Sequence, residues 1–112
     1  MTTIFGKVIR REIPADVVYE DELCLAFRDI NPQAPTHVLI VPKKEIATLT
    51  DAGTEDQALL GHLMLAAAKV AHQLGIADAF RVAINNGAEA GQSVFHLHLH
   101  VLRGRKFRWP PG

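Results

Sequence analysis

The chain holds one cysteine in 112 residues, Cys24, so no intramolecular disulfide can staple it. Cys24 lies in an apolar run, which predicts a buried thiol. Aromatic residues are few: five Phe, one Tyr and one Trp leave most of the core to aliphatic side chains. Neither sign of charge prevails. Twelve basic residues balance twelve acidic ones, which removes the footprint of a nucleic-acid or anionic-membrane binder but leaves room for a small anionic ligand. No apolar run approaches transmembrane length, and the N-terminus carries no signal-peptide hydrophobic region. A cytoplasmic, reducing setting is the expectation. Repeats, low-complexity tracts and domain linkers are also missing, so residues 1–112 are expected to form one domain with one core.

What is present reads as alternating short elements. Thr3 to Ile9 places Ile4, Phe5, Val8 and Ile9 at helical spacing, with Thr2 or Thr3 as the cap. Ile13-Pro14 ends that segment. Val17 to Glu20 and Leu23 to Arg28 read as strands around a turn at Glu20-Asp21-Glu22. Asp29 to Thr36, with two prolines, is a loop, and His37 to Pro42 is a continuous aliphatic strand. A helical turn is expected at Ile46 to Leu49. Thr54 with Gln57 reads as a capping box, opening one long helix. Its apolar face comprises Leu59, Leu60, Leu63, Met64, Ala67, Val70, Ala71 and Leu74, and Gly75 stands at its C-terminal end. His62 and His72 on it are expected to be plain exposed residues. Phe80 to Asn85 is the next strand. The set predicts an α+β domain: an antiparallel five-stranded sheet with one long and one short helix.

The stretch Val94-Phe95-His96-Leu97-His98-Leu99-His100-Val101-Leu102 is the most informative. It alternates histidine with aliphatic residues, the signature of a half-buried strand. Leu97, Leu99 and Val101 would face the core, and His96, His98 and His100 would share the other face, neighbours roughly 6–7 Å apart. Three of the six histidines stand in this row. A chance polar face would use Thr, Lys or Glu as readily. A zinc site is the second reading, but no cysteine pair or carboxylate lies nearby in sequence to complete a tetrahedral set. The third is nucleophilic and acid–base chemistry, for which imidazole titrates in the right range. Asn85 to Ser93, rich in glycine and asparagine, runs straight into the row. Its backbone amides and the Ser93 hydroxyl would suit a phosphate group.

His96-Leu97-His98-Leu99-His100-Val101-Leu102 fits the pattern His-φ-His-φ-His-φ-φ, with φ apolar. In this the chain resembles the histidine-triad (HIT) family. Gly91-Gln92-Ser93-Val94 and the terminal Trp109-Pro110-Pro111-Gly112 look like its HINT branch, the histidine-triad nucleotide-binding proteins. So do Ile4-Phe5-Gly6-Lys7, Cys24-Leu25-Ala26-Phe27, Pro32-Gln33-Ala34-Pro35-Thr36-His37 and Leu60-Gly61-His62-Leu63-Met64. The resemblance covers essentially the whole chain.

It implies a HIT-like fold and hydrolysis of the P–N bond in adenosine or guanosine 5′-monophosphoramidates, without a cofactor or metal. His98 matches the nucleophile that carries the nucleotidyl intermediate, and His96 the histidine supporting it from behind. His100 and His37 match histidines beside the phosphate, and Ser93 lies near the leaving group. Asn85 matches the ribose–phosphate contact, Asp29 the acid that bonds the ribose hydroxyls, and Ile13 and Phe27 the walls of the base pocket. Gln92 and Trp109 join the substrate-binding set. The resemblance also implies a homodimer whose tail reaches the partner's site. Glutamine typically replaces His100 in the family's nucleotide transferases, which argues against that branch. A dinucleoside polyphosphate hydrolase and a nucleotide-binding regulator with little turnover remain the alternatives. Glu45 and Asn86 border the site region where close relatives often carry other polar residues, a difference that bears on substrate side-group preference.

Overall fold

Thr3 caps the first helix, α1 (Ile4–Ile9), its hydroxyl accepting the Gly6 N–H at 3.2 Å. The computed structural model describes residues 3–112, so Thr2, the other candidate cap, lies outside the described residues. The remaining elements are β1 (Val17–Glu20), β2 (Cys24–Arg28), β3 (Thr36–Pro42), α2 (Gln57–Gln73), β4 (Arg81–Ala83) and β5 (Leu99–Arg103). The strands form one antiparallel sheet in the order β1-β2-β3-β5-β4. The expected α+β architecture is present. Among the described residues, no helix is long and apolar enough to cross a membrane.

Both faces of the central strands are covered, which explains why β2 and β3 are apolar at nearly every position. Cys24, Ala26, Val38 and Ile40 point to one side, where Leu63, Ala66, Ala67, Val70 and Ala71 of α2 pack on them. Leu25, Phe27, Leu39 and Val41 point to the other side and meet Phe5 and Val8 of α1. A helix of six residues is too short to hold itself together in water. Burying Phe5, worth roughly 1.5–3 kcal/mol, is what fixes it to the sheet. Leu97, Leu99 and Val101 lie in the α2-side core as expected. Cys24 is fully buried and unpaired, and burial pushes its thiol up to about 12.

Several local expectations are corrected. The capping box at Thr54 does not form; residues 54–56 make a short 3₁₀ turn and α2 starts at Gln57. Asp56 takes over, accepting the Gly53 N–H at 2.9 Å while pairing with the Lys44 ammonium at 2.5 Å. The helical turn expected at Ile46 to Leu49 falls later, at Leu49–Asp51, where the Thr48 N–H and hydroxyl both donate to the Asp51 carboxylate. Met64 is 51% exposed and Ala66 takes the buried place, because the sheet is contacted by a narrower stripe of α2 than the apolar spacing predicts. β4 spans Arg81–Ala83 only, within the longer run expected. His72 is exposed as expected, but His62 is half-buried, with Asp21 of the β1–β2 turn reaching its Nε2 at 2.6 Å.

The turn after β5 depends on Gly104, at φ +111°, where an added Cβ would stand 2.8 Å from the Pro35 ring. Replacing Gly104 by Ala is expected to lower stability by about 1–3 kcal/mol in urea unfolding. A loss under about 0.5 kcal/mol would mean the turn relaxes freely.

Candidate functional site

The histidine stretch departs from the expected strand. Regular pairing begins only at Leu99, so His100 alone of the three lies on β5. His96 and His98 precede it in irregular chain, held by other means. The Leu97 N–H donates to the Ile46 carbonyl at 2.7 Å, and His96 Nε2–H donates to the Pro42 carbonyl at 2.8 Å. Nor is the histidine face solvated: His96 is 2% exposed and His98 5%. α1 covers it, and Phe5 stands edge-on to the His98 ring with centroids 4.9 Å apart.

Backbone groups decide which ring nitrogens carry protons. His98 Nδ1 lies 2.7 Å from the His96 carbonyl, which can only accept, so Nδ1 carries the hydrogen and Nε2 is left with its lone pair. The Gln33 N–H donates to His37 Nδ1 at 3.0 Å, so in the neutral ring Nε2 is the protonated nitrogen. That Nε2 lies 2.9 Å from His100 Nδ1, to which it donates. His100 must then carry its own hydrogen on Nε2. This Nε2 is buried and finds no hydrogen-bond partner among the described residues. A buried donor without an acceptor costs about 1–3 kcal/mol.

The surroundings keep these rings neutral. Burial lowers His98, with the His96 carbonyl opposing in part. His100 falls to about 4 through burial first, then through the neighbouring His98 and His37. Burial also lowers His37, against the pull of Asp29, whose Oδ2 lies 3.5 Å from its Nε2. A neutral imidazole with a free Nε2, beside a neutral imidazole offering an N–H, is a nucleophile next to an electrophilic donor. The rings of His98 and His100 are 4.9 Å apart, close enough to act on one tetrahedral group.

Both rings open onto a cavity of about 250 Å³. Of the residues expected at the site, Ile13, Phe27, Asp29, Ser93, His98 and His100 line it. Asp29 Oδ1 is held by the Asn31 N–H at 2.9 Å. His96 and His37 lie behind the cavity as supports. Gln92 does not face it: its amide accepts from Gly87 N–H and donates to the Ala47 and Val94 carbonyls at 2.8, 2.7 and 3.1 Å. Gln92 is thus a strut for the loop that presents Ser93. Asn85 reaches back toward the Gly91 carbonyl at 3.5 Å, and Trp109 is 84% exposed on the tail, outside the cavity lining. Glu45 lies 3.8 Å from Arg10, and Asn86 accepts from Thr50, both away from the cavity. The sequence reading missed Phe5, Val8 and Leu39 as cavity walls. The helical spacing of α1 pointed to a buried face there, without saying what it would cover.

A family model described as HIT domain matches residues 10–107. A HIT-like protein of Synechocystis sp. is 68% identical over 110 residues, covering 98% of this chain and 96% of that protein. The 14 kDa zinc-binding protein of Zea mays is 54% identical over 112 residues, covering 98% and 88%. The crystal structure of a HIT family hydrolase from Legionella pneumophila superposes with a TM-score of 0.95 at 48% identity, covering 99% of this chain and all of that one.

Three histidines held below their ordinary 6.5 link this site to stability. Below that pH the unfolded chain gains protons that the folded site refuses, so stability is fully present above about 6.5 and falls as pH drops toward about 4. Urea midpoints are expected to hold level from pH 8 to 7 and to decline between 6.5 and 5. His100→Asn should make that decline shallower; an unchanged slope would show that the ring titrates normally in the fold.

Proposed function

Because this chain belongs to the HIT domain family, we propose that it is a purine nucleoside phosphoramidase of the HINT branch. It would hydrolyse the P–N bond of adenosine or guanosine 5′-monophosphoramidates. The observation that carries the reading is the pairing of tautomers: the free Nε2 of His98 beside the unmatched Nε2–H of His100, at one end of a largely apolar cavity.

The reaction follows from these parts. The nucleoside base occupies the slot walled by Ile13, Phe27 and Leu39, and Asp29 accepts hydrogen bonds from the ribose hydroxyls. His98 Nε2 attacks the α-phosphorus, forming an N–P bond as the P–N bond to the leaving amine breaks. The amine departs with the electron pair and takes a proton from solvent, which regains one when water attacks in the second step. His100 Nε2–H donates to the phosphoryl oxygen where negative charge gathers, and Ser93 stands by the leaving group. The His96 carbonyl steadies the imidazolium that His98 becomes. Water then attacks the nucleotidyl-histidine, releasing the nucleoside monophosphate and restoring His98. None of these steps routes through a cofactor. The exposed Trp109, with Met64 and Leu65 exposed on α2, supports a homodimer in which the tail lies against a second copy. The single buried thiol suits a cytoplasmic setting.

A second reading has its own observation. Asp29, His37 and His100 hold ligand-type atoms within 4.8 Å of one another, and the maize relative is named a zinc-binding protein. Hydrolysis of adenosine 5′-phosphoramidate, with and without chelator, separates the two. Turnover is expected to resist chelator and to fall roughly a thousandfold or more in His98→Ala, with AMP binding retained. Loss to chelator would favour the metal reading. Wild-type AMP binding without turnover would leave a nucleotide-binding regulator, and preference for dinucleoside polyphosphates would move the protein to another branch.

A further inference from the structure

On the opposite face of the sheet from the histidine cavity, the β1–β2 turn and the first half of α2 bring Asp21, Cys24 and His62 together. One ligand-type atom from each lies within 4.8 Å of the other two. Cys24 is fully buried, while Asp21 and His62 are partly exposed, so solvent reaches the cluster from the carboxylate and imidazole side. The turn fixes how the carboxylate is presented. Its Oδ1 accepts the N–H groups of Leu23 and Cys24 at 2.8 and 2.9 Å, which leaves Oδ2 facing outward. His62 Nε2 lies 2.6 Å from Oδ2, and the Tyr19 hydroxyl donates to it at 2.8 Å. An ion pair alone would account for Asp21 and His62. The Cys24 thiol hydrogen-bonds to the same carboxylate, so a sulfur, an imidazole nitrogen and a carboxylate oxygen converge on one point.

We infer that Asp21, Cys24 and His62 form a site for zinc or a chemically similar divalent ion, separate from the histidine cavity. One sulfur, one imidazole nitrogen and one carboxylate oxygen make a donor set that suits zinc, with water in the fourth position. Zinc–ligand distances of about 2.0–2.3 Å put neighbouring donors about 3.3–3.6 Å apart in a tetrahedron. The Asp21–His62 pair, now at 2.6 Å, would open by no more than about 1 Å. On binding, the Cys24 thiol gives its proton to the buffer and ligates as thiolate, and His62 ligates through the neutral Nε2. The Tyr19 hydroxyl and the two turn amides hold the carboxylate in orientation, as groups behind metal ligands commonly do. The ion would tie the β1–β2 turn to α2 and so stabilise the folded chain in proportion to its occupancy. This site stands or falls independently of the phosphoramidase reading.

Cobalt(II) tests it directly, since the chain has a single cysteine and any thiolate-to-cobalt charge-transfer band must come from Cys24. The full chain, titrated with cobalt(II), is expected to develop that band at one equivalent and lose it when zinc is added. Cys24→Ser should lack the band, and His62→Ala should weaken binding at least tenfold. Thermal unfolding without metal checks that both variants fold; if Cys24→Ser does not, His62→Ala on the helix surface carries the test. Cobalt bound without the thiolate band, equal affinity in His62→Ala, or no uptake at all would overturn the site.

Discussion

The hydrogen bond from His98 Nδ1–H to the His96 carbonyl, 2.7 Å long, commits one ring nitrogen and thereby frees the other. A carbonyl cannot donate, so no tautomeric exchange can reverse the arrangement without breaking the bond. Everything around it serves that commitment. His96 has its own ring anchored to the Pro42 carbonyl and the next amide tied to Ile46, so the peptide that accepts from His98 is held on two sides. Phe5 closes the remaining side, which fixes the ring plane and excludes water.

The single sheet, covered on both faces, makes this possible at a cost the fold has to bear. A sheet with one wet face would leave histidines solvated and half-protonated near neutral pH. Covering that face with α1 keeps them neutral, but α1 is too short to stand without its contacts to β2 and β3. Burial also leaves His100 Nε2 without a hydrogen-bond partner among the described residues. The apolar packing of α1 and the open polar demand of His100 are therefore two sides of one construction. A ligand oxygen at that nitrogen would relieve the demand.

Much of this was legible in the sequence, for identifiable reasons. β2 and β3 showed as aliphatic runs because both faces are buried, and α2 showed through its spacing and Gly75. The cap at Thr3 was readable because it is a local side-chain–backbone bond. Asp56 hid behind Thr54 because its partner Lys44 is distant in sequence, and the His62–Asp21 contact hid for the same reason. The histidine alternation gave the correct inward face for Leu97, Leu99 and Val101. It could not reveal that His96 and His98 lie outside regular pairing, since the bonds that hold them run to Pro42, Ile46 and each other. The family resemblance put Gln92 among the ligand contacts, whereas its three bonds run to the backbone of Gly87, Val94 and the distant Ala47.

The line from the Gln33 amide through His37 to His100 has a polarity. Its origin is a peptide N–H, which can neither accept nor turn round, and each ring passes the direction on. Any change at His37 that offers a donor where Nε2 now donates would be absorbed. One that offers only an acceptor would force His100 to flip its hydrogen inward and present a lone pair to an anion. The hydrogen on His100 Nε2 is thus set by a main-chain amide four residues before His37, a position where side-chain substitution leaves the instruction intact.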